Sequence, residues 1–247
     1  MLYSNFFRPL FADIKAFVLD TLFPISCLCC EQEGSFICLD CKVRLKPLEH
    51  QRCIMCQKPS PFGLTHLSCQ TPYGADALIS FYDYHDANLA KILIKGKYSF
   101  LPEAYQILGG MLANKLTSDS QFLNLKSYIL NPILVPTPLN KWRLRWRGFN
   151  QSKILCEAIA KETNLPVIDA LIRKKHTKTQ KDLKREARLK NVRDAFEVPE
   201  NHKSSILNHI CLLVDDVTTT GATLQEAAKI LKRAGAAKVI CLTVARD

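Results

Sequence analysis

The sequence predicts an α/β fold, a parallel sheet flanked by helices, behind a small N-terminal module that binds zinc. Three observations carry the prediction. Eight of the eleven cysteines fall between Cys27 and Cys69. From Tyr73 onward, short apolar runs alternate with segments of helical periodicity, the pattern of strand–helix–strand units. Near the C-terminus an apolar run, Ile210 to Val214, enters paired acids, three threonines and a glycine before a helical segment begins.

The first segment, 1–24, reads as an amphipathic helix. Leu10, Ile14, Phe17, Val18 and Leu22 recur at helical spacing. Arg8, Asp13, Lys15 and Asp20 interrupt the apolar residues between Phe6 and Phe23, which excludes a membrane span of about 20 apolar residues. The segment also lacks the basic start, unbroken apolar stretch and small-residue cleavage site of a secretory signal. A cytoplasmic protein without a transmembrane segment is expected.

The cysteine region, 25–72, repeats one pattern twice. Cys27-x2-Cys30 and Cys38-x2-Cys41 enclose seven residues; Cys53-x2-Cys56 and His66-x2-Cys69 enclose nine. Two ligands separated by two residues can reach one ion across a tight turn, and two such pairs complete the tetrahedral shell zinc prefers. Sequential use of the pairs gives one site from Cys27, Cys30, Cys38 and Cys41, and another from Cys53, Cys56, His66 and Cys69. A cross-braced arrangement satisfies the same ligands. Cys29 competes with its neighbours, although the two-residue gap favours Cys27 and Cys30. Four protein ligands leave no open position for water, so a structural rather than catalytic metal is expected. An odd cysteine total without a secretion signal argues against a disulfide framework. Cys156, Cys211 and Cys241 read as small core residues.

Within 73–247, strands are expected at Ala77–Tyr84, Ile129–Val135, Ile210–Val214 and Val239–Val244. Helices are expected around Leu89–Ile94, at Leu101–Leu116 and Gln151–Glu162, and at Leu224–Arg233, stopped by Gly235. Ligands of such sheets bind outside the carboxyl ends of the strands, which points to Asp215.

The stretch after Val214 has the parts of a ribose-phosphate site. Backbone N–H groups and the hydroxyls of Thr218, Thr219, Thr220 and Thr223 can surround a phosphate at a helix N-terminus. Gly221 permits close backbone approach, and Ala222 opens the helix. Asp215 and Asp216 would repel that phosphate unless they grip a neutral group beside it; vicinal ribose hydroxyls meet that demand. The absence of a Gly-Lys-Ser/Thr ending excludes a Walker loop.

Val214-Asp-Asp-Val-Thr-Thr-Thr-Gly-Ala-Thr223 resembles the phosphoribosyl pyrophosphate (PRPP) motif of type I phosphoribosyltransferases. Val135-Pro-Thr-Pro138, Arg147-Gly-Phe-Asn-Gln151, Gln180, Arg188, Asn191 with Phe196, and Ala245-Arg246 recur in the same order in the competence protein F (ComF) family, also called GntX-like. The cysteine region is similar to that family's double zinc ribbon, with His66 where cysteine is more usual. The resemblance implies a type I phosphoribosyltransferase-like sheet. Asp215 and Asp216 would hold ribose hydroxyls, and Thr218 to Thr223 the 5′-phosphate. Pro136, Thr137, Pro138 and Leu139 would line the pyrophosphate loop, with Mg²⁺ bridging pyrophosphate and ribose oxygens. It also implies a role in natural transformation.

The formal net charge of +11 favours anionic partners without choosing among them. Lys141-Trp-Arg-Leu-Arg-Trp-Arg147 interleaves cations with tryptophans, a composition suited to phosphates and stacked bases. Arg173 to Arg193 carries ten Lys or Arg against Asp182 and Glu186, where the covering loop of phosphoribosyltransferases would lie. Arg143, Arg145, Arg147, Lys181, Arg185 and Arg188 are thus candidate nucleic-acid or phosphate contacts, although charged runs are usually solvated faces. The expected function is a ComF-type competence factor with a PRPP or ribose-phosphate site. It would handle incoming single-stranded DNA in the cytoplasm with DNA-uptake or recombination proteins. The alternatives are an active phosphoribosyltransferase acting on a base or amine, and a PRPP-sensing scaffold. No general base is recognisable.

Overall fold

The computed structural model describes residues 24–118, 132–174 and 192–247. The expected N-terminal helix, and the first residues of the strand expected from Ile129, lie outside them. Two compact units divide between Leu45 and Lys46. Among its described residues the smaller contains the first cysteine set and one short helix, α1 (Leu39–Val43). The larger contains the second cysteine set and the sheet.

In the larger unit the chain runs β1 (Ala77–Asp83), α2 (Ala87–Tyr98), α3 (Pro102–Ser118), β2 (Pro132–Pro136), α4 (Lys141–Arg147) and α5 (Gln151–Thr163). It continues through β3 (Ile172–Arg173), β4 (Phe196–Glu197), α6 (Glu200–Lys203), β5 (Ile210–Thr218), α7 (Ala222–Arg233) and β6 (Lys238–Arg246). Four strands form a parallel sheet in the order β1-β6-β5-β2, and β3 and β4 form a separate antiparallel pair. Ile133 to Val135, Ile210 to Val214 and Val239 to Ala245 are continuously buried, as a sheet covered on both faces requires.

Local chemistry starts and stops the helices. Asp86 accepts from the N–H groups of Asn88 and Leu89 at the head of α2. Asn140 and Asn150 cap α4 and α5 in the same way, and α5 ends at Asn164 in the left-handed region. Leu224, Ala227, Ala228 and Leu231 of α7 pack with Cys211, Leu213, Val239 and Cys241 of the sheet. α3 and α5 pack closely, and a Cβ on Gly109 would lie 2.5 Å from that of Ala158. Burial pushes the Cys211 thiol up to about 12, and it raises those of Cys156 and Cys241 too, in keeping with cysteines that serve as core residues.

Candidate ribose-phosphate site and metal centres

β5 runs four residues past the point where its apolar run ends. Asp215 pairs with Thr243, Val217 with Ala245 and Thr218 with Arg246. Strand pairing uses the backbone, and β6 continues as far, so the acids do not break the ladder. Asp215 and Asp216 are therefore held within a strand that continues to Thr218, past its expected end at Val214. Asp215 accepts from the Ser152 hydroxyl at 3.0 Å and from the Asp216 N–H at 2.9 Å. Asp216, 9% exposed, accepts from the Val217 N–H at 2.8 Å, and the Lys97 ammonium makes an ion-pair contact at 2.5 Å. Burial, reinforced by the charge of Asp216, pushes the Asp215 carboxyl up to about 7 despite those donors and Lys97.

Thr219 and Thr220 lead into Gly221, whose φ of +76° favours glycine. Packing makes the same demand: a Cβ there would lie 2.7 Å from Ile54 Cγ1. α7 opens at Ala222, so its first-turn N–H groups and positive end lie at the loop. Thr218 to Thr223 thus span a strand end, a turn and a helix start.

The second candidate loop follows β2, the neighbour of β5. Pro136 pairs with Val214, and the Thr137 N–H donates to the Val214 carbonyl at 2.9 Å. Thr137 Oγ1, Asn140 Nδ2 and Arg147 Nε are buried and find no hydrogen-bond partner among the described residues. Buried donors in that condition suit an anionic oxygen. The segment Arg147 to Gln151 ties the two loops together. Gly148, at φ +79°, ends α4 and turns the chain. The Asn150 side-chain amide donates to the Thr137 carbonyl, while its oxygen caps α5 and so sets Ser152 against Asp215.

Arg147 is 8% exposed, its guanidinium feeling the charge of Asp216, whereas Arg145 is exposed and Arg143 intermediate. Lys181, Arg185 and Arg188 lie outside the described residues, as do Gln180 and Asn191. Four positioning residues escaped the sequence reading. Asn150 and Arg246 stood in the family motifs without an assigned role. Ser152 adjoins one of those motifs, but nothing near Lys97 in the sequence marks it.

The metal-ligand candidates gather sequentially. Cys27, Cys30, Cys38 and Cys41 form one set, Cys53, Cys56, His66 and Cys69 the other, with each set's ligand atoms within 4.8 Å of one another. Cys29 is in neither. The first halves of the two sets are the same structure. The Cys27 N–H donates to the Gln32 carbonyl and the Cys53 N–H to the Lys58 carbonyl; Glu31 and Gln57 are left-handed at φ +66° and +63°. The second pairs begin at the head of a helical turn in both, at Cys38 and His66. Thiolate and imidazole donors in fours fit zinc. The carboxylates offer no comparable set among the described residues. With Lys97 on Asp216, a Mg²⁺ ion would be held mainly by oxygens of the ligand that carries it.

The second set is fastened to the turn between β5 and α7. Ile54, inside its first turn and 1% exposed, is the residue that Gly221 lies against. The Arg246 guanidinium, at the end of β6 and level with Thr218, donates to the carbonyls of Arg52 and Cys53 and to Gln57 Oε1. Gln57 in turn donates to the Ile54 carbonyl.

The phosphoribosyl transferase domain family matches residues 151–247. Competence protein F of Haemophilus influenzae is 25% identical over 232 residues, covering 86% of this chain and 97% of that protein. Competence protein ComFC of Bacillus subtilis is 29% identical over 222 residues, 85% and 84% of the two chains. DNA utilization protein YhgH of Escherichia coli K12 is 30% identical over 210 residues, covering 82% of this chain and 87% of that one. With the parallel sheet and the cysteine sets in place, this chain belongs to the family of competence protein F, ComFC and YhgH.

Proposed function

We propose that this protein binds PRPP, or a related ribose phosphate, at Asp215 to Thr223. We further propose that it serves natural transformation by handling incoming single-stranded DNA in the cytoplasm, alongside DNA-uptake or recombination proteins. The observation that carries the reading is the pair of neighbouring loops at the carboxyl ends of β2 and β5. One bears the two acids and a phosphate-type turn, the other buried donors without partners among the described residues. Asp215 and Asp216 accept from ribose hydroxyls, the turn and α7 take the 5′-phosphate, and Thr137 and Arg147 donate to the pyrophosphate. Mg²⁺ supplies charge neutralisation between ligand oxygens when bound. Zinc at the two cysteine sets holds the region 25–72 in shape. Among the described residues no helix is long and apolar enough to cross a membrane.

Transfer of the phosphoribosyl group to a base or amine is the second reading. It is favoured by the same unpartnered donors, which suit a leaving pyrophosphate better than a plain ribose phosphate needs.

Calorimetric titration of PRPP with Mg²⁺ tests the site. Binding to the wild type that is lost in Asp215→Ala/Asp216→Ala is expected; no binding by a folded, zinc-loaded wild type would sink the proposal. A pH series adds a second check. Asp215 must be ionised to accept two hydroxyls, and its pKa stands near 7 rather than in the ordinary carboxylate range. Affinity should therefore rise between pH 6 and 8, and Asp215→Asn should flatten that rise. For the unliganded fold the sign is opposite. A carboxyl whose pKa is raised by folding contributes less stability as pH climbs from its unfolded value through 7.

A further inference from the structure

An aromatic cluster stands in water beside the acids. Trp142 and Trp146 are one turn apart on α4, their planes 6° from parallel and their centroids 6.5 Å apart. Trp146 also meets Tyr98 and Phe100 edge-on, at 5.9 and 5.2 Å, from the end of α2 and just beyond it. All four rings are exposed, Trp142 to 60% and Tyr98 to 51%. Arg147 lies over Trp146 at 6.0 Å from its ring centroid, and the exposed area of the four rings is apolar surface a ligand can cover.

The surroundings decide which ligand. Neither 87–102 nor 132–156 contains an Asp or Glu, while Lys141, Arg143 and Arg145 share α4 with the tryptophans. The cluster is also continuous with the ribose-phosphate site. Lys97, the residue before Tyr98, holds Asp216, and Arg147, the residue after Trp146, is buried toward it. A flat polyanion with planar apolar groups matches cations around parallel rings; an acidic peptide would match only the cations. The two indole planes are nearly parallel, an orientation in which both can stack against bases of one strand.

We propose that Tyr98, Phe100, Trp142 and Trp146 form a base-stacking platform for single-stranded DNA, with Arg143 and Arg145 on the flanking phosphates. This rests on the single-strand reading above and adds where, and through which part of the nucleotide, the strand is held. The platform contacts bases, so it distinguishes a strand with bases from the same sugar-phosphate chain without them.

The chain contains two tryptophans, so intrinsic tryptophan fluorescence reports on this platform alone. The zinc-loaded full chain would be titrated with an oligothymidylate and with an abasic deoxyribose-phosphate oligomer of equal length. The expected result is tighter binding of the thymidylate by about tenfold or more, with quenching by the thymidylate only. Read by the anisotropy of a dye-labelled oligomer, because the variant has no tryptophan, Trp142→Ala/Trp146→Ala should bring the thymidylate down to abasic affinity without changing the salt dependence. Arg143→Gln/Arg145→Gln should weaken both oligomers and flatten the salt dependence. Trp142→Phe/Trp146→Phe, which keeps ring packing, should retain most of the preference. Equal binding of both oligomers with unquenched fluorescence would overturn the platform, leave single-strand binding standing and give this face to a protein. No binding of either oligomer by the wild type would overturn the single-strand reading and the platform together.

Discussion

The two cysteine sets are nearly the same object placed in different surroundings. Each starts with a knuckle closed by an N–H donated from its first cysteine, continues through a left-handed residue, and takes its last two ligands from a helical turn. The first stands in the small unit that ends at Leu45. The second belongs to the unit that carries the sheet. There Ile54 fills the space opposite Gly221, and the carbonyls of Arg52 and Cys53 receive Arg246. Similar ligand geometry therefore does not mean an equal role. The second candidate metal-ligand set braces the turn proposed to receive the 5′-phosphate, because Ile54, between its first two cysteines, is that turn's packing partner.

The largest expected effect separates the two sets directly. Cys53→Ser/Cys56→Ser should cost one zinc and lower PRPP affinity about a hundredfold or more, since the knuckle that seats Ile54 then has no reason to hold its shape. Cys27→Ser/Cys30→Ser should also cost one zinc but keep PRPP affinity within about threefold. Zinc content and calorimetry on both variants decide it, and equal losses would end the distinction. Ile54→Ala, which keeps every ligand, should destabilise by about 3 kcal/mol in denaturant unfolding. Arg246→Ala should cost about 2–3 kcal/mol, because it withdraws a charged donor from two backbone carbonyls. The smallest effect is the most diagnostic. Gly221→Ala alone should cost about 1–2 kcal/mol from its positive φ and its clash with Ile54. In an Ile54→Ala background the clash is gone, so the double variant should be more stable than the sum of the two losses predicts. Strict additivity would mean the loop and the knuckle are not coupled.

Parts of this arrangement were legible in the residues because their chemistry is local. Cysteines two apart reach one ion whatever surrounds them, so both ligand sets could be read, while their sequential connectivity could not. Acids followed by threonines and glycine announced the loop at Asp215 to Thr223. The expected end of the strand at Val214 was too early, because polarity marks where burial stops and not where backbone pairing stops. α4 was met as a basic stretch rather than a helix: seven residues with alternating cations and rings give no clear helical period, and the Asn140 cap and left-handed Gly148 set its ends.

By itself, then, the sequence determined the alternation of strands and helices, the ligand sets and the family to which the chain belongs. These follow from periodicity and from motifs whose members lie within a few residues of one another. Only the tertiary structure decided what holds the motifs in place. Lys97 on Asp216, Ser152 on Asp215 and Arg246 on the Cys53 carbonyl join residues 119, 63 and 193 positions apart. So did the meeting of Tyr98 and Phe100 with Trp146, and of Ile54 with Gly221. Such pairs form where crossovers of a parallel sheet bring distant segments to one edge, and no local pattern encodes which of them will touch.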